Sequence, residues 1–287
     1  MISVVVPNWN GKKLLEKNLP LVFKALPRDC EVIIIDDGST DGSKKMINDQ
    51  WPMVKLIANN KNKGFVYTAN RGVKEAKGDF VVLINTDVIP QKGFLKPALK
   101  HFEDEKVFAV SLSEQDYGWA KIWWRGGFIH IGDGGKSKAA HISAWASGGS
   151  AIFRKSMWRR LGGFDPLYGP FYWEDFDIGF RAWKNGWKII WEPKARALHQ
   201  HESTTSKVNH SFVNLIKERN QLLFIWKNMD GCWWKLSNCL GMVLRSLLGL
   251  NYLKVIWAAK KQYCLFDRPR AKENKLTARE VIALFKK

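Results

Sequence analysis

Several features common in chains of this length are scarce or missing from this 287-residue sequence. Its four cysteines show neither metal-type spacing nor a dense disulfide framework, which is typical of a reducing compartment. No apolar run reaches the roughly 18 residues of a membrane-spanning helix. The N-terminus leads directly into an apolar segment without a basic region or a cleavage site, so we expect no signal peptide. These absences argue against a secreted disulfide scaffold and against a helical membrane span.

Acidic residues are also scarce, with 27 Asp and Glu against 46 Lys and Arg, for a formal net charge of +19. Such an excess suits a polyanionic partner, which can be nucleic acid, an anionic membrane surface or a phosphorylated substrate. Residues 211–287 hold 15 basic and 5 acidic residues, a net charge of +10, and many aromatic residues. Apolar faces there predict helices over residues 211–227 and 232–265, followed from Asp267 by a frayed or weakly helical end. We find no nucleic-acid recognition motif, so we expect no nucleic-acid partner.

What the sequence has in its first ninety residues is a regular alternation of short apolar runs and helical patterns. The alternation predicts a parallel, doubly wound α/β sheet, which binds its ligands at the carboxyl ends of the strands. The predicted strands cover residues 2–6, 31–35, 54–57 and 80–84, and the predicted helices cover 13–26, 43–51 and 65–76. Beyond them we predict strands at 107–112, 144–154, 187–191 and 195–198, helices at 156–161 and 175–185, and an irregular loop over 115–138.

Three polar residues, Asn85, Thr86 and Asp87, directly follow the apolar strand 80–84. Hard divalent cations such as Mg²⁺ or Mn²⁺ are often held by one or two carboxylates together with phosphate oxygens of a substrate. The triplet therefore predicts a sparse metal site completed by a diphosphate. The alternative is that it only caps a helix predicted near residues 92–102.

Two adjacent carboxylates, Asp36 and Asp37, end the second predicted strand. At that position they can accept hydrogen bonds from a nucleobase or a ribose. The alternative is a cap for the helix predicted over 43–51. An aspartyl phosphatase also carries two aspartates after a strand, but at alternate positions, so the adjacent pair argues against that class.

Three acidic residues, Glu174, Asp175 and Asp177, lie at the start of a predicted helix, whose dipole favours their ionised state. Glu174 and Asp175 point in different directions, so one can face a pocket as a general base while the other anchors the loop. Asp177 can pair with Arg181 one turn later, which we interpret as a structural contact.

Two histidines, His199 and His201, end the last predicted strand. Because side chains alternate along a strand, both imidazoles lie on one face. The pair can offer a metal ligand.

Taken in order, these motifs resemble family 2 glycosyltransferases with the GT-A fold, over roughly residues 2–220. The nearest likeness is to bacterial rhamnosyltransferase-like members that build surface polysaccharides. The segments that carry the resemblance are VVVPNWN (4–10), IIIDDGSTDG (33–42), NKGF (62–65) with NRG (70–72), LINTD (83–87), SGGSAIFR (147–154), GGFD (162–165), EDFD (174–177), and His201 with Ser203 and Thr205.

The resemblance implies a GT-A domain over residues 1–210, with a mostly parallel sheet and helices on both faces, and a helical, basic, Trp-rich extension over 211–287. It implies that Asp87 holds the divalent cation on the donor diphosphate, with His201 as a second ligand and His199 as the alternative. Asp175 is implied as the base, with Glu174 as the second choice. The donor-binding residues that it implies are Pro7, Asn10, Asp36, Asp37, Asn62, Arg71, Asn85, Thr86, Ser147, Gly148 and Gly149. Asn85 stands at the first acidic position of the family's Asp-x-Asp motif, which is a departure from the pattern.

The resulting hypothesis is a metal-dependent, inverting glycosyltransferase that uses a nucleotide-sugar donor, UDP- or dTDP-linked, and a lipid-linked glycan acceptor. The basic tail then meets anionic lipid at the inner face of the cell membrane, or joins two copies into a homodimer. A different class is a catalytically degenerate scaffold that binds nucleotide sugars without transferring them.

Overall fold

The computed structural model describes residues 1–115, 117–200, 209–249, 251–266 and 274–286. Its strands are β1 (Ile2–Asn8), β2 (Glu31–Asp36), β3 (Lys55–Ala58), β4 (Phe80–Ile84), β5 (Val88–Pro90), β6 (Val107–Glu114), β7 (Ala120–Arg125), β8 (Phe128–Asp133), β9 (His141–Ile142), β10 (Ser150–Arg154) and β11 (Lys188–His199). Its α-helices are α1 (Lys12–Ala25), α2 (Ser43–Gln50), α3 (Phe65–Glu75), α4 (Leu95–Lys100), α5 (Lys155–Leu161), α6 (Glu174–Lys184), α7 (His210–Asn228), α8 (Cys232–Leu248), α9 (Asn251–Leu265) and α10 (Ala278–Ala283). Short 3₁₀ turns cover His101–Glu103 and Pro166–Tyr168.

The central sheet has nine strands in the order β3-β2-β1-β4-β10-β6-β11-β5, with β9 paired to β11. Strands β3, β2, β1 and β4 run parallel, and β6 and β11 share their direction, whereas β10, β5 and β9 run the opposite way. The prediction of a mostly parallel, doubly wound sheet is confirmed. Its order reverses beside β1, so the carboxyl ends of β1, β2 and β4 share one edge, the usual place for a ligand site.

Both faces of the sheet are covered because neighbouring strand residues point to opposite sides. On β1, Val5 belongs to the cluster formed with α3, α6 and α7, whereas Val4 and Val6 belong to the cluster formed with α1, α2 and α4. These strand side chains are 0–2% exposed. Continuous apolar runs, rather than alternating ones, are therefore what these strands require.

The prediction of an irregular loop over 115–138 is wrong. Residues 120–133 form a β-hairpin, in which β7 and β8 pair antiparallel from Ala120 with Asp133 to Arg125 with Phe128. Its two-residue turn is Gly126-Gly127, with φ of +58° and +83°. Positive φ at both central residues is the geometry that favours glycine in such turns.

Boundaries of three later elements also differ from the prediction. Strand β10 begins at Ser150, where a strand was predicted over 144–154. Strand β11 is continuous, with an irregularity between Glu192 and Arg196, where separate strands at 187–191 and 195–198 were predicted. The single helix predicted over 232–265 is two helices, because α8 ends at Leu248 and the backbone of Gly249 is extended. Within the described ranges, no helix combines the length and apolarity needed to cross a bilayer.

Of the frayed or weakly helical end predicted from Asp267 onward, the helical alternative agrees with α10 at Ala278–Ala283. Thr277 and Glu280 form a capping box at the start of α10, in which each side chain bonds the other's backbone N–H. Val281 and Ile282 are buried, and Phe285 packs edge-on against Trp183 of α6 with ring centroids 5.5 Å apart. The end of the chain therefore covers the outer side of α6.

Helix α6 is joined to α7 by the carboxylate of Asp177, which is fully buried. Arg181 donates to it at 2.6 Å, as the sequence predicted, and Lys227 of α7 donates to both oxygens at 2.8 Å. Tyr168 and Asn228 each donate at 2.9 Å. Burial alone would raise the pKa of Asp177, but Arg181 and Lys227 hold it well below its usual range.

We expect Asp177→Asn to lower the free energy of unfolding at pH 7 by about 3 kcal/mol, because it removes the buried anion that Arg181 and Lys227 share, although Lys227 keeps Asp165 at 2.6 Å. Urea denaturation measures the change. Since the folded pKa lies below that of an unfolded aspartate, the stabilisation is present above about pH 4 and is lost as the pH falls, so the two proteins converge in acid.

Asp49→Asn is the matched control, because Asp49 pairs with Lys45 at the same helical spacing but is exposed. It should change the free energy of unfolding by less than about 0.5 kcal/mol. Equal effects of the two substitutions would contradict a structural role for the buried carboxylate.

Candidate active site

A cavity of about 720 Å³ opens at the carboxyl edge of β1, β2 and β4. Of the residues predicted from the sequence, its lining contains Pro7, Asp37, Asn62, Asn85, Thr86, Asp87, Ser147, Gly148, Gly149, Glu174, Asp175 and His199. Asn10, Asp36 and Arg71 lie outside this lining, and His201 lies outside the described residues. The structure thus brings most of the predicted site together.

Asp36 and Asn10 connect loops behind the cavity. Asp36 is 0% exposed and accepts hydrogen bonds from the Ser39 N–H and the Asn8 side chain, both at 2.9 Å. Asn10 accepts from the Thr40 N–H at 2.9 Å, and its own N–H donates to the Ser39 hydroxyl at 2.9 Å. These contacts hold the ends of β1 and β2 together.

Asp37 lies at the cavity wall and orders the loop that follows β3. Its carboxylate accepts from the N–H groups of Lys63 and Gly64 and from the Asn59 amide, at 2.7–3.1 Å. Arg71 donates to the Asn59 side chain and to the Ala58 carbonyl, so it reaches Asp37 only through Asn59. Helix α2 is preceded by Gly42, and the interpretation of Asp36 and Asp37 as its cap is therefore wrong.

Asn85 and Gly149 pack tightly on one side of the cavity. The Asn85 N–H donates to the Gly149 carbonyl at 2.9 Å, and a Cβ on Gly149 would lie 2.2 Å from the Asn85 amide nitrogen. Only glycine leaves room for this contact. The triplet runs into β5, and α4 begins only at Leu95, so the interpretation of the triplet as a helix cap is wrong.

Asp87 and His199 meet because β5 pairs antiparallel with β11, with Val88 opposite His199. The His199 Nε2 lies 3.4 Å from Asp87 Oδ2, and its Nδ1 lies 2.9 Å from a Glu114 oxygen. Glu114 ends β6, the neighbour of β11. Burial lowers the pKa of His199, but its contacts with Asp87 and Glu114 raise that pKa to about 10.

This donor set fits a divalent cation. Asp87 is 2% exposed, and among the described residues the His199 imidazole at 3.4 Å is what faces its Oδ2. Glu114 orients the imidazole through Nδ1 and leaves Nε2 directed at Asp87, which is the usual arrangement around a histidine ligand. Across the described ranges, no group of three or more His, Cys, Asp or Glu residues is arranged to hold a metal ion. Asp87 and His199 would therefore need oxygen atoms of a substrate to complete the coordination.

Glu174 and Asp175 both line the cavity at the first turn of α6. Asp175 accepts from the Phe176 N–H at 2.8 Å and from the Gly148 N–H at 3.2 Å. Burial raises the pKa of Asp175, and these N–H groups oppose that rise. Burial raises the pKa of Glu174 well above its usual range, with a further contribution from Asp175, and Glu174 Oε2 has no hydrogen-bond partner within the described part of the chain.

Several lining residues were missed by the sequence reasoning. Tyr117, Phe171, Tyr172 and Phe212 give the cavity an aromatic rim. The loop at 169–173 is held by Asn220 of α7, whose amide donates to the carbonyls of Tyr168, Phe171 and Tyr172 at 2.8–3.1 Å. Neither the rim nor Asn220 belongs to a local motif, so only the tertiary structure reveals them.

The sequence profile of glycosyl transferase family 2 matches residues 3–162, more than half of the chain. The chain belongs to this family. The resemblance drawn from the ordered motifs is thereby confirmed.

A curated relative of this family 2 chain is the N-acetylglucosaminyl-diphospho-decaprenol L-rhamnosyltransferase of Mycobacterium tuberculosis (strain ATCC 25618 / H37Rv). It is 25% identical over 289 residues, which cover 88% of this chain and 91% of the relative. The pre-mycofactocin glycosyltransferase of the same strain is 26% identical over 210 residues, which cover 70% of this chain and 43% of the relative.

Two solved structures share the fold of this family 2 chain. GalNAc-T7 with UDP, GalNAc and Mn²⁺ superimposes with a TM-score of 0.65 at 19% identity, over 82% of this chain and 49% of that one. The mannosyltransferase PcManGT of Pyrobaculum calidifontis, in complex with GDP-Man and Mn²⁺, gives 0.58 at 19% identity, over 93% and 81%. Both are GT-A glycosyltransferases, which confirms the GT-A fold.

We expect Glu114→Gln to weaken Mn²⁺ binding by about 10- to 100-fold, because a neutral amide holds the imidazole less firmly and lowers its basicity. Electron paramagnetic resonance of free Mn²⁺ measures the affinity in the presence of UDP. Glu192→Gln is the matched control, since Glu192 contacts His101 Nε2 at 2.6 Å outside the cavity. Equal affinities for Glu114→Gln and the unchanged protein would contradict a metal-positioning role.

Proposed function

We propose that this family 2 chain is an inverting glycosyltransferase that moves a sugar from a nucleoside diphosphate to a hydroxyl of a lipid-linked glycan in polysaccharide synthesis. One observation carries the proposal. A single cavity contains both the Asp87–His199 pair, suited to a cation and a diphosphate, and the Asp175 carboxylate, suited to accept a proton.

In this proposal the donor enters at the carboxyl ends of β1 and β2, where Pro7, Asp37 and Asn62 surround its base and ribose. Asn85 and Thr86 lie at the diphosphate, with Ser147, Gly148 and Gly149 as the wall towards the acceptor. Asn10, Asp36 and Arg71 keep a supporting role through their contacts with loops behind the cavity. A divalent cation, Mg²⁺ or Mn²⁺, held by Asp87 and His199 supplies positive charge that stabilises the departing diphosphate.

We assign the base to Asp175 and not to Glu174. The Gly148 and Phe176 N–H groups stabilise the ionised form of Asp175, whereas the dry surroundings of Glu174 favour its protonated form. Of two adjacent buried carboxyl groups, the one with better hydrogen-bond donors ionises more readily. Asp175 then accepts the proton of the acceptor hydroxyl as that oxygen attacks the anomeric carbon, and a single displacement inverts the configuration there.

The acceptor is proposed from the relatives and from the aromatic rim. The named substrate of the mycobacterial relative is a decaprenol-linked sugar. Tyr117, Phe171, Tyr172 and Phe212 offer flat apolar surfaces at the cavity mouth, and such faces bind sugar rings and isoprenoid chains by apolar contact. We accordingly place the reaction at the inner face of the cell membrane, with residues 1–210 as the transferase domain and 211–287 as a helical extension that starts near α7.

Titration calorimetry with UDP, dTDP and GDP, each with and without Mn²⁺, tests the donor site. We expect tight binding of UDP or dTDP only in the presence of the metal. Binding of none of the three nucleotides would contradict the proposal, whereas nucleotide binding without any sugar transfer would favour a degenerate scaffold.

For the base, Asp175→Asn should lower the transfer rate by roughly a thousandfold, because it removes the proton acceptor. Glu174→Gln is the matched variant at the adjacent position and mimics a protonated side chain, so it should lower the rate by less than about tenfold. Both should bind nucleotide like the unchanged protein, as measured by calorimetry. The reverse order of the two rates would assign the base to Glu174.

A further inference from the structure

Helix α8 turns its most apolar side to solvent. Seven large apolar side chains of α8 are each more than half exposed: Trp233, Leu236, Leu240, Val243, Leu244, Leu247 and Leu248. They follow the helical period and form one stripe. The opposite side contacts the protein through buried Asn238 and Gly241 and through partly buried Trp234 and Met242. A surface helix of a water-soluble protein has the reverse arrangement.

The contacts of the inner side fix this orientation. Asn238 accepts from the Trp226 Nε1–H at 3.0 Å and donates to the Gly127 carbonyl at 2.8 Å. Gly241 packs against the hairpin turn so closely that a Cβ there would lie 2.6 Å from the Gly126 carbonyl oxygen. Rotating the apolar stripe inward would break these buried hydrogen bonds, so the exposed stripe is specified by the fold.

Helix α9 extends the same kind of surface. Leu253 and Trp257 are 52% and 67% exposed, and Lys254, Lys260 and Lys261 are exposed on the same helix. Between Asp230 and Asp267 the sequence contains five Lys or Arg and no acidic residue. An apolar stripe beside uncompensated positive charge is the composition of helices that lie in a membrane interface.

We propose that the α8–α9 face, formed by the apolar stripe of α8 with Leu253, Trp257 and the three lysines of α9, docks on an anionic lipid bilayer. Water-exposed apolar area of this extent favours a partner. A second copy of the chain would cover the stripe but would bring like charges together, whereas an anionic surface satisfies both features. Lys235 and Arg245 interrupt the apolar sequence of α8, which favours a helix that lies on the bilayer over one that crosses it.

The docking face is connected to the cavity by the β7–β8 hairpin. Tyr117, which lines the cavity, lies just before β7, and the hairpin turn packs on α8. Two paired strands of six residues span roughly 20 Å. Docking would therefore hold the cavity near the lipid surface, and this part of the inference rests on the proposed use of a lipid-linked acceptor.

Co-sedimentation of the full chain with vesicles tests the proposal. We expect binding to phosphatidylcholine vesicles that contain phosphatidylglycerol and weaker binding to phosphatidylcholine alone. The double variant Leu240→Glu, Leu244→Glu should bind the anionic vesicles at least about a hundredfold more weakly, because it removes two apolar insertions and adds like charge. Lys254→Gln with Lys261→Gln should weaken the same binding by about tenfold.

The matched control is Leu21→Glu with Met53→Glu, which makes the same change of charge at exposed positions far along the chain from α8. It should bind the vesicles nearly like the unchanged protein. Undiminished vesicle binding by the Leu240→Glu, Leu244→Glu variant would overturn the proposal. The proposal would also be overturned, in favour of a second copy, if the unchanged protein does not bind vesicles but forms a dimer in sedimentation velocity that the variant does not form.

Calorimetry with nucleotide and Mn²⁺ separates this inference from the proposed function. The Leu240→Glu, Leu244→Glu variant should bind nucleotide unchanged, which also shows that it is folded. If the unchanged protein binds vesicles but no nucleotide, and the variant does not bind vesicles, the docking face is supported and the proposed reaction is contradicted.

Discussion

The buried carboxylate of Asp177 is the contact on which the arrangement of the cavity depends. A carboxylate without access to water is stable only beside cations and donors, and here the cations come from Arg181 of α6 and Lys227 of α7. The first turn of α6 also carries Glu174 and Asp175, so the positions of these two carboxyl groups are tied to α7. The C-terminal helices are therefore part of what holds the site in place.

The carboxyl groups at and behind the cavity have different neighbours, and we therefore propose different roles for them. Asp175 accepts hydrogen bonds from two backbone N–H groups, whereas Glu174 Oε2 is buried and has no hydrogen-bond partner in the described part of the chain. Asp87 faces an imidazole that Glu114 orients from behind. In the proposed reaction, Asp175 therefore accepts a proton while Asp87 faces positive charge, although both are aspartates.

Local patterns in the sequence predicted the first four strands, their helices and the polar residues at the strand ends, because these depend on neighbours within one element. Glu114 and Asn220 were not predicted, since their partners lie 85 and about 50 residues away. The capping-box pattern of Thr277 and Glu280 is visible in the sequence, but the charged composition around it led to the prediction of a frayed or weakly helical end. The Gly126-Gly127 pair is also a recognisable turn pattern, but the flanking Trp- and Lys-rich segments show no clear alternation of apolar and polar residues, so the hairpin was not predicted.

The glycines between α8 and the hairpin have a mechanical consequence. Gly126, Gly127 and Gly241 bring backbone against backbone at the hairpin turn, which leaves little room for a tilt between the helix and the hairpin at that point. A molecule resting on α8 would hold its cavity at one height and one angle above the lipid. In the proposed reaction, a fixed height would favour acceptor hydroxyl groups at one distance from the membrane over those on shorter or longer glycans.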